Sequence, residues 1–197
     1  HHLASVACRL MHAHPAHKVH IDVEHARVAL FERNYDLVFS ALEHSFAPST
    51  VVMRRVYSLE RGLFAAPELL AGQALPTHPE ELNALPLLAG GEDQSWSFTS
   101  AEGAAAEVEV RNPRLRSGNA EIRLKAAMAG IGVARITSTF CAPPVAQGRL
   151  EPLLPQWTCT PLRIHALLPG RRLVPAKVRA FLDLVEEEAK GNAPGPS

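Results

Sequence analysis

The alternation of helical and strand-like patterns in the first 41 residues is the feature that most restricts the fold of this chain. Apolar side chains from Leu3 to Met11 recur at the spacing of one helix face, and Pro15 ends that predicted helix. Residues 19–23 alternate between apolar and polar, which predicts a half-buried strand. We predict a short helix over residues 26–33 and a buried strand over residues 36–41. This order of elements is typical of an α/β fold with parallel strands.

The rest of the chain continues the mixed pattern. Residues 51–66 are rich in β-formers and predict two strands or one bent strand. A helix is predicted over residues 119–129, with Ser117 and Asn119 as capping candidates and Gly130 at its end. The other predicted elements are a loop at 43–50, a short helix at 80–85 between proline turns, an antiparallel strand pair at 95–99 and 107–110, strands at 132–136, 149–154 and 162–168, a helical turn at 137–142 and a last helix at 175–190.

Composition and charge exclude several classes of protein. Twenty basic side chains balance twenty acidic ones, whereas a nucleic-acid binder needs a basic surplus. Three widely separated cysteines, Cys8, Cys141 and Cys159, argue against a disulfide framework and against a zinc finger. No apolar run approaches the about 18 residues of a membrane span, and no signal peptide opens the chain. We therefore expect a soluble protein of a reducing compartment, the cytoplasm.

No motif for catalysis or cofactor binding is complete. Residues 130–135 (GIGVAR) begin like a dinucleotide-binding fingerprint, but Arg135 replaces the third glycine. The segment also runs from a helix into a strand, which is the reverse of the required order. Neither a phosphate-binding loop nor a nucleophile elbow occurs. We expect no cofactor and no catalytic residue.

Histidines and cysteines are further candidates for chemistry. Seven of the ten histidines lie in the first 25 residues, and the spacing of His12, His14, His17 and His20 could bring them to one metal ion. No cysteine or carboxylate completes such a site, so exposed helix-end and loop side chains are the preferred interpretation, and no metal is expected. Cys141 lies in an apolar, proline-rich segment, which favours a buried structural thiol over a nucleophile.

Three segments resemble the effector-binding region of LysR-type transcriptional regulators. Their order and spacing across residues 3–190 carry the resemblance, because each segment alone is weak. The first is 34–39 (NYDLVF); the second is 61–70 (RGLFAAPELL), followed by 76–82 (PTHPEEL); the third is 126–134 (AAMAGIGVA), followed by 148–150, 154–157, 166–169 and 178–182.

The resemblance implies an α/β fold of two Rossmann-like subdomains joined by two crossing strands, similar to type 2 periplasmic binding proteins. It assigns residues 1–63 and 165–190 to regulatory subdomain I, residues 64–164 to regulatory subdomain II, and residues 191–197 to a disordered tail. A small metabolite is expected in the cleft between the subdomains. The family carries a winged helix-turn-helix ahead of this region, so we expect a fragment that lacks it, together with the family's first strand and the loop after that strand.

The resemblance also implies where an effector would be contacted. Helix N-termini at strand ends bind anions, so a carboxylate suits the site. By family position, the expected effector-binding residues are Ser40, Ala41, Leu42, Phe64, Ala65, Ser117, Gly118, Asn119, Arg135, Thr137 and His165. Many relatives have arginine at the position of Ser40, so an arginine clamp is not expected there.

Two of these assignments have an ordinary structural alternative. Arg135 stands where the family has an apolar residue, and either pairs with an anionic effector or extends its guanidinium to solvent. Ser117 and Asn119 either contact the effector or only cap the helix that follows them.

The resemblance implies further partners. The helix at residues 3–12 of one subunit is expected to meet the helix at residues 119–129 of a second copy in an antiparallel homodimer, with a tetramer when the protein is full length. The alternative is that the outer faces of both helices are simply solvated. Promoter DNA would be bound only through the missing N-terminal domain, and no membrane is involved.

Two rival functions complete the expectations. A solute-binding protein that serves a transporter would have a similar fold, but the absence of an export signal and the unpaired Cys141 and Cys159 weigh against it. An enzyme with Cys141 as nucleophile is the other rival, and no acid or base partner for that thiol is evident in the sequence.

Overall fold

The structure, a computed structural model, describes residues 2–22, 35–41, 51–72, 74–170 and 173–191. The chain divides into unit 1, His1–Ser58 with Arg163–Ser197, and unit 2, Leu59–Leu162. It passes from unit 1 to unit 2 after Ser58 and returns after Leu162, so unit 2 is formed by one continuous segment.

The elements follow one another in a mixed α/β order. In chain order they are α1 (His2–Ala13), β1 (Val38–Ser40), β2 (Val51–Leu59), β3 (Arg61–Ala65), α2 (Pro67–Leu70), a 3-10 helix (Pro79–Ala84), β4 (Leu87–Ala89), β5 (Ser95–Ser100), β6 (Ala105–Glu109), β7 (Leu115–Arg116), α3 (Ala120–Met128), β8 (Val133–Thr137), α4 (Ser138–Ala146), β9 (Glu151–Leu153), β10 (Trp157–Cys159), β11 (Leu162–Pro169) and α5 (Ala176–Gly191).

In unit 1, α1 packs against α5 beside a three-stranded sheet of order β1-β11-β2. The predicted apolar face of α1 is confirmed, because Val6, Ala7 and Leu10 are at most 4% exposed. Arg9 on the same helix donates to the carboxylates of Glu187 and Glu188 of α5.

The strand predicted at residues 19–23 is wrong for the part that the structure describes. Residues 19–22 have no regular secondary structure, and Ile21 is 55% exposed. The carboxylate of Asp22 instead accepts a hydrogen bond from the hydroxyl of Tyr35 and contacts the ring of His20. The segment therefore makes local polar contacts. The alternation of apolar and polar residues was not sufficient for a strand, because a strand also needs a neighbouring strand to pair with. The predictions for residues 26–33, 43–50 and 192–197 lie outside the described residues.

Unit 2 is built on a five-stranded sheet of order β7-β4-β8-β3-β9. Strands β7, β4 and β8 are parallel, whereas β3 is antiparallel to both β8 and β9. Successive residues of these strands are buried on opposite faces: Leu63 belongs to the core cluster that contains Trp96 and Phe98, and Phe64 to the cluster that contains Cys141. Burial on both faces explains the continuous apolar runs in this part of the sequence.

Most elements predicted for unit 2 are confirmed. Residues 51–66 form two strands, β2 in the sheet of unit 1 and β3 in that of unit 2, and β5 pairs with β6 as the predicted antiparallel pair. Gly130, with φ of +69°, follows α3 and ends it as predicted. The helical turn expected at 137–142 is the longer helix α4, and the segment after Pro86, interpreted as a turn, contains strand β4.

Gly132 explains how β8 begins beside β4. A Cβ atom at Gly132 would lie 2.5 Å from the carbonyl oxygen of Pro86, which also accepts a hydrogen bond from the amide of Val133. Only glycine allows this close approach of the two backbones, which aligns β8 with β4.

Candidate functional site

The carboxyl ends of the parallel strands form the candidate site in unit 2. Residues 90–93 follow β4, residues 117–119 follow β7, and α4 follows β8 directly. Strand β4 lies between β7 and β8. The chain continues from β4 to β7 on one side and then from β7 to β8 on the other side of β4, so the direction of the connections changes between β4 and β8, which is a topological switch point. Ligands of open α/β sheets bind outside the carboxyl ends at such points.

The N-terminus of α3 is capped by the side chain of the residue that precedes the helix. The side chain of Asn119 accepts a hydrogen bond from the amide of Glu121 at 2.8 Å, and the hydroxyl of Ser117 accepts one from the amide of Asn119 at 3.2 Å. Asn119 is therefore confirmed as the N-cap of α3, whereas Ser117 accepts from an amide that precedes the helix and does not cap it. Among the described residues, no side chain caps the amide of Ala120, which belongs to the same positively polarised first turn.

Two glycines bring the loops after β4 and β7 close together. A Cβ atom at Gly91 would lie 3.5 Å from the backbone nitrogen and Cα of Gly118. The amide of Ser117 also donates to the carbonyl oxygen of Ala89 at 3.0 Å. The first turn of α3 is thus held beside the loop that carries Asp93.

The carboxylate of Asp93 is the centre of a polar network behind this turn. Its Oδ2 atom accepts hydrogen bonds from the amide of Gly90 at 2.9 Å and from the indole Nε1 of Trp96 at 2.8 Å, and its Oδ1 atom lies 2.9 Å from Nη2 of Arg135. Burial raises the pKa of Asp93, but Arg135 and these two donors outweigh it, so the pKa lies below its ordinary value. Asp93 is a fixed anion at neutral pH.

Arg135 does not extend to solvent, so that alternative is wrong. Its side chain is 3% exposed, pairs with Asp93 and lies over the ring of Trp96, with 5.6 Å between the guanidinium carbon and the ring centroid. Strand β8 is buried on both faces, so the side chain has no short path to water. Whether an effector also contacts Arg135 stays a prediction.

Two more arginines hold the same loops. Arg116 donates to the carbonyl oxygens of Asp93 at 2.7 Å and Gly90 at 3.2 Å, and Arg123 of α3 donates to the carbonyl oxygen of Ser117. Burial is the main cause that lowers the pKa of Arg123; Asp93 opposes that effect, whereas Arg135 and Arg61 add to it. The guanidinium groups of Arg123, Arg135 and Arg61 therefore interact electrostatically.

The other residues predicted for the site lie at separate places. In unit 2, Phe64 is 7% exposed and Ala65 fully buried, each in one of the two core clusters, and Thr137 ends β8 at 6% exposure. In unit 1, Ser40 of β1 is paired in register with His165 of β11. Ala41 is exposed just after β1, and Leu42 lies outside the described residues.

Sequence reasoning missed Asp93, Trp96, Arg116 and Arg123. The available signal was the glycine pair at residues 90–91 after an apolar run, which marks a strand end followed by a tight loop. Because the three-residue strand β4 was not predicted, the polar residues after it were not assigned to a strand end.

The cysteines and histidines that the structure describes add no second site. Burial raises the pKa of the Cys141 thiol to about 12 and that of Cys159 to about 11, so neither is a thiolate at neutral pH. Within the described part of the chain, no three histidine, cysteine or acidic side chains lie together as metal ligands. Nor does any helix in that part have the length and apolar character that a membrane span needs.

Comparison with known proteins identifies the family. The family model described as the LysR substrate binding domain matches residues 1–190. An HTH-type transcriptional repressor of Pseudomonas aeruginosa is 28% identical over 142 residues, which are 71% of this chain and 45% of that protein. The HTH-type transcriptional regulator CrgA of Neisseria meningitidis is 25% identical over 199 residues, 99% of this chain and 65% of CrgA. The chain thus spans about half to two thirds of these relatives.

The fold has a counterpart among solved structures. The regulatory domain of CrgA, a LysR-type transcriptional regulator, superposes with a TM-score of 0.75 over 95% of this chain and 91% of that domain, at 24% identity. The α/β fold is thus the type 2 periplasmic-binding-protein-like fold of LysR-type regulatory domains, and the resemblance drawn from the sequence is confirmed. The chain belongs to the LysR substrate-binding domain family, and the curated relatives that it matches are named as HTH-type transcriptional regulators.

Proposed function

We propose that this domain senses a small metabolite with a carboxylate group, which binds at the N-terminus of α3. The observation that carries the proposal is the juxtaposition of that helix end with Arg123, whose Nη1 donates to Ser117 and whose buried Nε has no hydrogen-bond partner among the described residues. An oriented amide and a guanidinium together suit an anion. Arg135 and Thr137 on β8 complete the proposed set in unit 2.

We propose that the two units are regulatory subdomains I and II of this family. In unit 1, Ser40, Ala41 and His165 are the proposed contacts. The effector changes the behaviour of the protein only by its different affinity for two conformations of the domain. The proposed role is therefore that of a switch and not of a catalyst, and the high pKa of the Cys141 thiol supports this.

The whole protein would couple this sensing to transcription. The relatives are named HTH-type transcriptional regulators, which supports a helix-turn-helix domain as the part that binds promoter DNA. We propose a homodimer in which α1 of one subunit meets α3 of its partner, a tetramer at full length, and a location in the cytoplasm. The exposed side chains of Met11 on α1 and Ile122 on α3 are compatible with such contacts.

A thermal-shift screen of carboxylates, amino acids, aromatic acids and sugars tests the sensing function. A ligand at a hundred times its dissociation constant adds about 2.7 kcal/mol, which raises the Tm by several degrees in a domain of this size. We expect the responding compounds to carry a carboxylate. A library without any response, although the domain is folded, would contradict the proposal.

Ala120→Pro locates the binding site without removing a cap. Proline is favoured at the first helical position, and the extended backbone of Asn119 (φ −81°, ψ 115°) suits a residue before proline. The substitution removes one amide donor, so we expect an unchanged Tm without ligand and a loss of most of the ligand-induced shift. The matched control, Ala120→Ser, keeps the amide and the shift. Equal shifts in both variants would place the carboxylate elsewhere.

A further inference from the structure

We infer that Asp93 is a specificity-determining residue of this site, which lowers the affinity of dicarboxylates more than that of monocarboxylates. The inference rests on the proposed function, since it concerns the charge of the ligand that binds at α3. It goes further by assigning the discrimination to one carboxylate that the protein itself supplies.

The position of Asp93 is fixed by contacts on both oxygens. Its side chain is 15% exposed and that of Arg135 is 3% exposed, so the ion pair between them is shielded from solvent ions. Trp96, which is fully buried, donates its indole Nε1 to the same carboxylate, and the amide of Gly90 adds a second donor. A carboxylate held by three donors on the strand-end loop cannot turn away when a ligand arrives.

The side chains around the carboxylate of Asp93 are positively charged. Arg135 and Arg123 both act on Asp93 and lower its pKa, and Arg116 holds the backbone of the same residue. Arg123 in turn contacts Ser117 at the first turn of α3. Asp93 is therefore an anion embedded among the cations that would bind a ligand carboxylate.

The number of carboxylates on a ligand determines how strongly Asp93 lowers its affinity for the site. One ligand carboxylate is attracted by the guanidinium groups and the helix end, and Asp93 weakens that attraction only in part. A second carboxylate on the ligand adds charge that Asp93 repels again. If Asp93 and the ligand carboxylate are several ångströms apart in a medium of intermediate dielectric constant, the charge of Asp93 lowers the affinity for a singly charged ligand about fivefold. The affinity for a doubly charged ligand is lowered more.

Two single variants and their double variant change the charges of this ion pair. Acetate and malonate are titrated at constant ionic strength, and binding is followed by the amide NMR signals of residues 118–120. We expect Asp93→Asn to raise the ratio of malonate to acetate affinity about fivefold over the wild type. Arg135→Gln should lower the ratio, and Asp93→Asn with Arg135→Gln should return it close to the wild-type value.

The double variant also covers the case in which Asp93→Asn does not fold. Asp93→Asn leaves the buried Arg135 without its counter-ion, whereas the double variant replaces the pair by two neutral groups. The comparison of Arg135→Gln with the double variant then measures the charge of Asp93 alone. Glu102→Gln is the charge-matched control, because Glu102 is exposed in the turn between β5 and β6 and solvent screens it.

The outcomes separate the two claims. An affinity ratio that is the same in the wild type and in Asp93→Asn, or in Arg135→Gln and the double variant, overturns the role of Asp93 and leaves the carboxylate site in place. If neither anion shifts the signals of residues 118–120 in the wild type, the proposed binding site is overturned, and the inference with it.

Discussion

At the residue scale, the ion pair of Asp93 and Arg135 is the structural feature that departs most from an apolar core. A buried pair contributes little by itself, because desolvation offsets most of the attraction, but removal of one partner leaves an uncompensated charge. Additional contacts stabilise the pair: the amide of Gly90 and the indole of Trp96 donate hydrogen bonds to the carboxylate of Asp93, and the guanidinium of Arg135 lies over the ring of Trp96. The network thus fixes the loop after β4 relative to β8.

Asp93→Asn is expected to destabilise the domain by about 3 kcal/mol at pH 7. The pKa of Asp93 is lowered in the folded state, so its contribution is complete above the unfolded value of about 3.9 and is lost as the pH falls through the folded pKa. The difference between wild type and variant should therefore shrink below about pH 4. Urea unfolding from pH 7 to pH 3 measures it, and a difference that stays constant over that range would contradict the assignment.

Single residues were predicted unevenly from the sequence. Arg135 was identified because it stands where the family has an apolar residue, yet its partner Asp93 was not, since the two lie 42 positions apart and pair only after folding. Asn119 was identified correctly as a cap because capping is a local interaction. Contacts between distant side chains depend on strand register, which these short strands do not reveal.

At the scale of elements, long amphipathic helices were predicted well and short buried strands poorly. Helices α1 and α5 each present several turns of periodic pattern, so their sequences specify them. The shorter helix α3 is not amphipathic, and it was predicted from its capping candidates and from Gly130. Strands β4, β7 and β10 contain two or three residues and are stabilised by neighbouring strands, so a local pattern is absent. The candidate site lies at the ends of two of these short strands, which is why its outline could not be predicted.

Packing of α1 on α5 is expected to contribute much of the stability of unit 1. Leu10 is 4% exposed in this contact, whereas Met11, its neighbour on the helix, is 38% exposed. We expect Leu10→Ala to lower the free energy of unfolding by about 3 kcal/mol and Met11→Ala by less than about 1 kcal/mol. Chemical denaturation of both variants at a concentration where the domain is monomeric measures the difference. Equal losses would contradict the packing.

At the scale of the whole molecule, unit 2 is one continuous segment whose two core clusters lie within its own sequence. Clusters built on Leu63 and Trp96 and on Phe64 and Ile136 draw their members from residues 63–159. We expect the excised segment 59–162 to fold alone and to unfold cooperatively, because no buried member of these clusters is removed. Circular dichroism on heating measures this, and a gradual loss of signal without a transition would contradict it.

The proposed sensing function depends on a ligand at the N-terminus of α3. The most direct test is a crystal structure of the domain with a carboxylate that the thermal-shift screen identifies. We expect electron density for the carboxylate within hydrogen-bonding distance of the backbone amides of residues 118–120 and of Arg123. A ligand bound elsewhere in the domain, with no density at these amides, would contradict it.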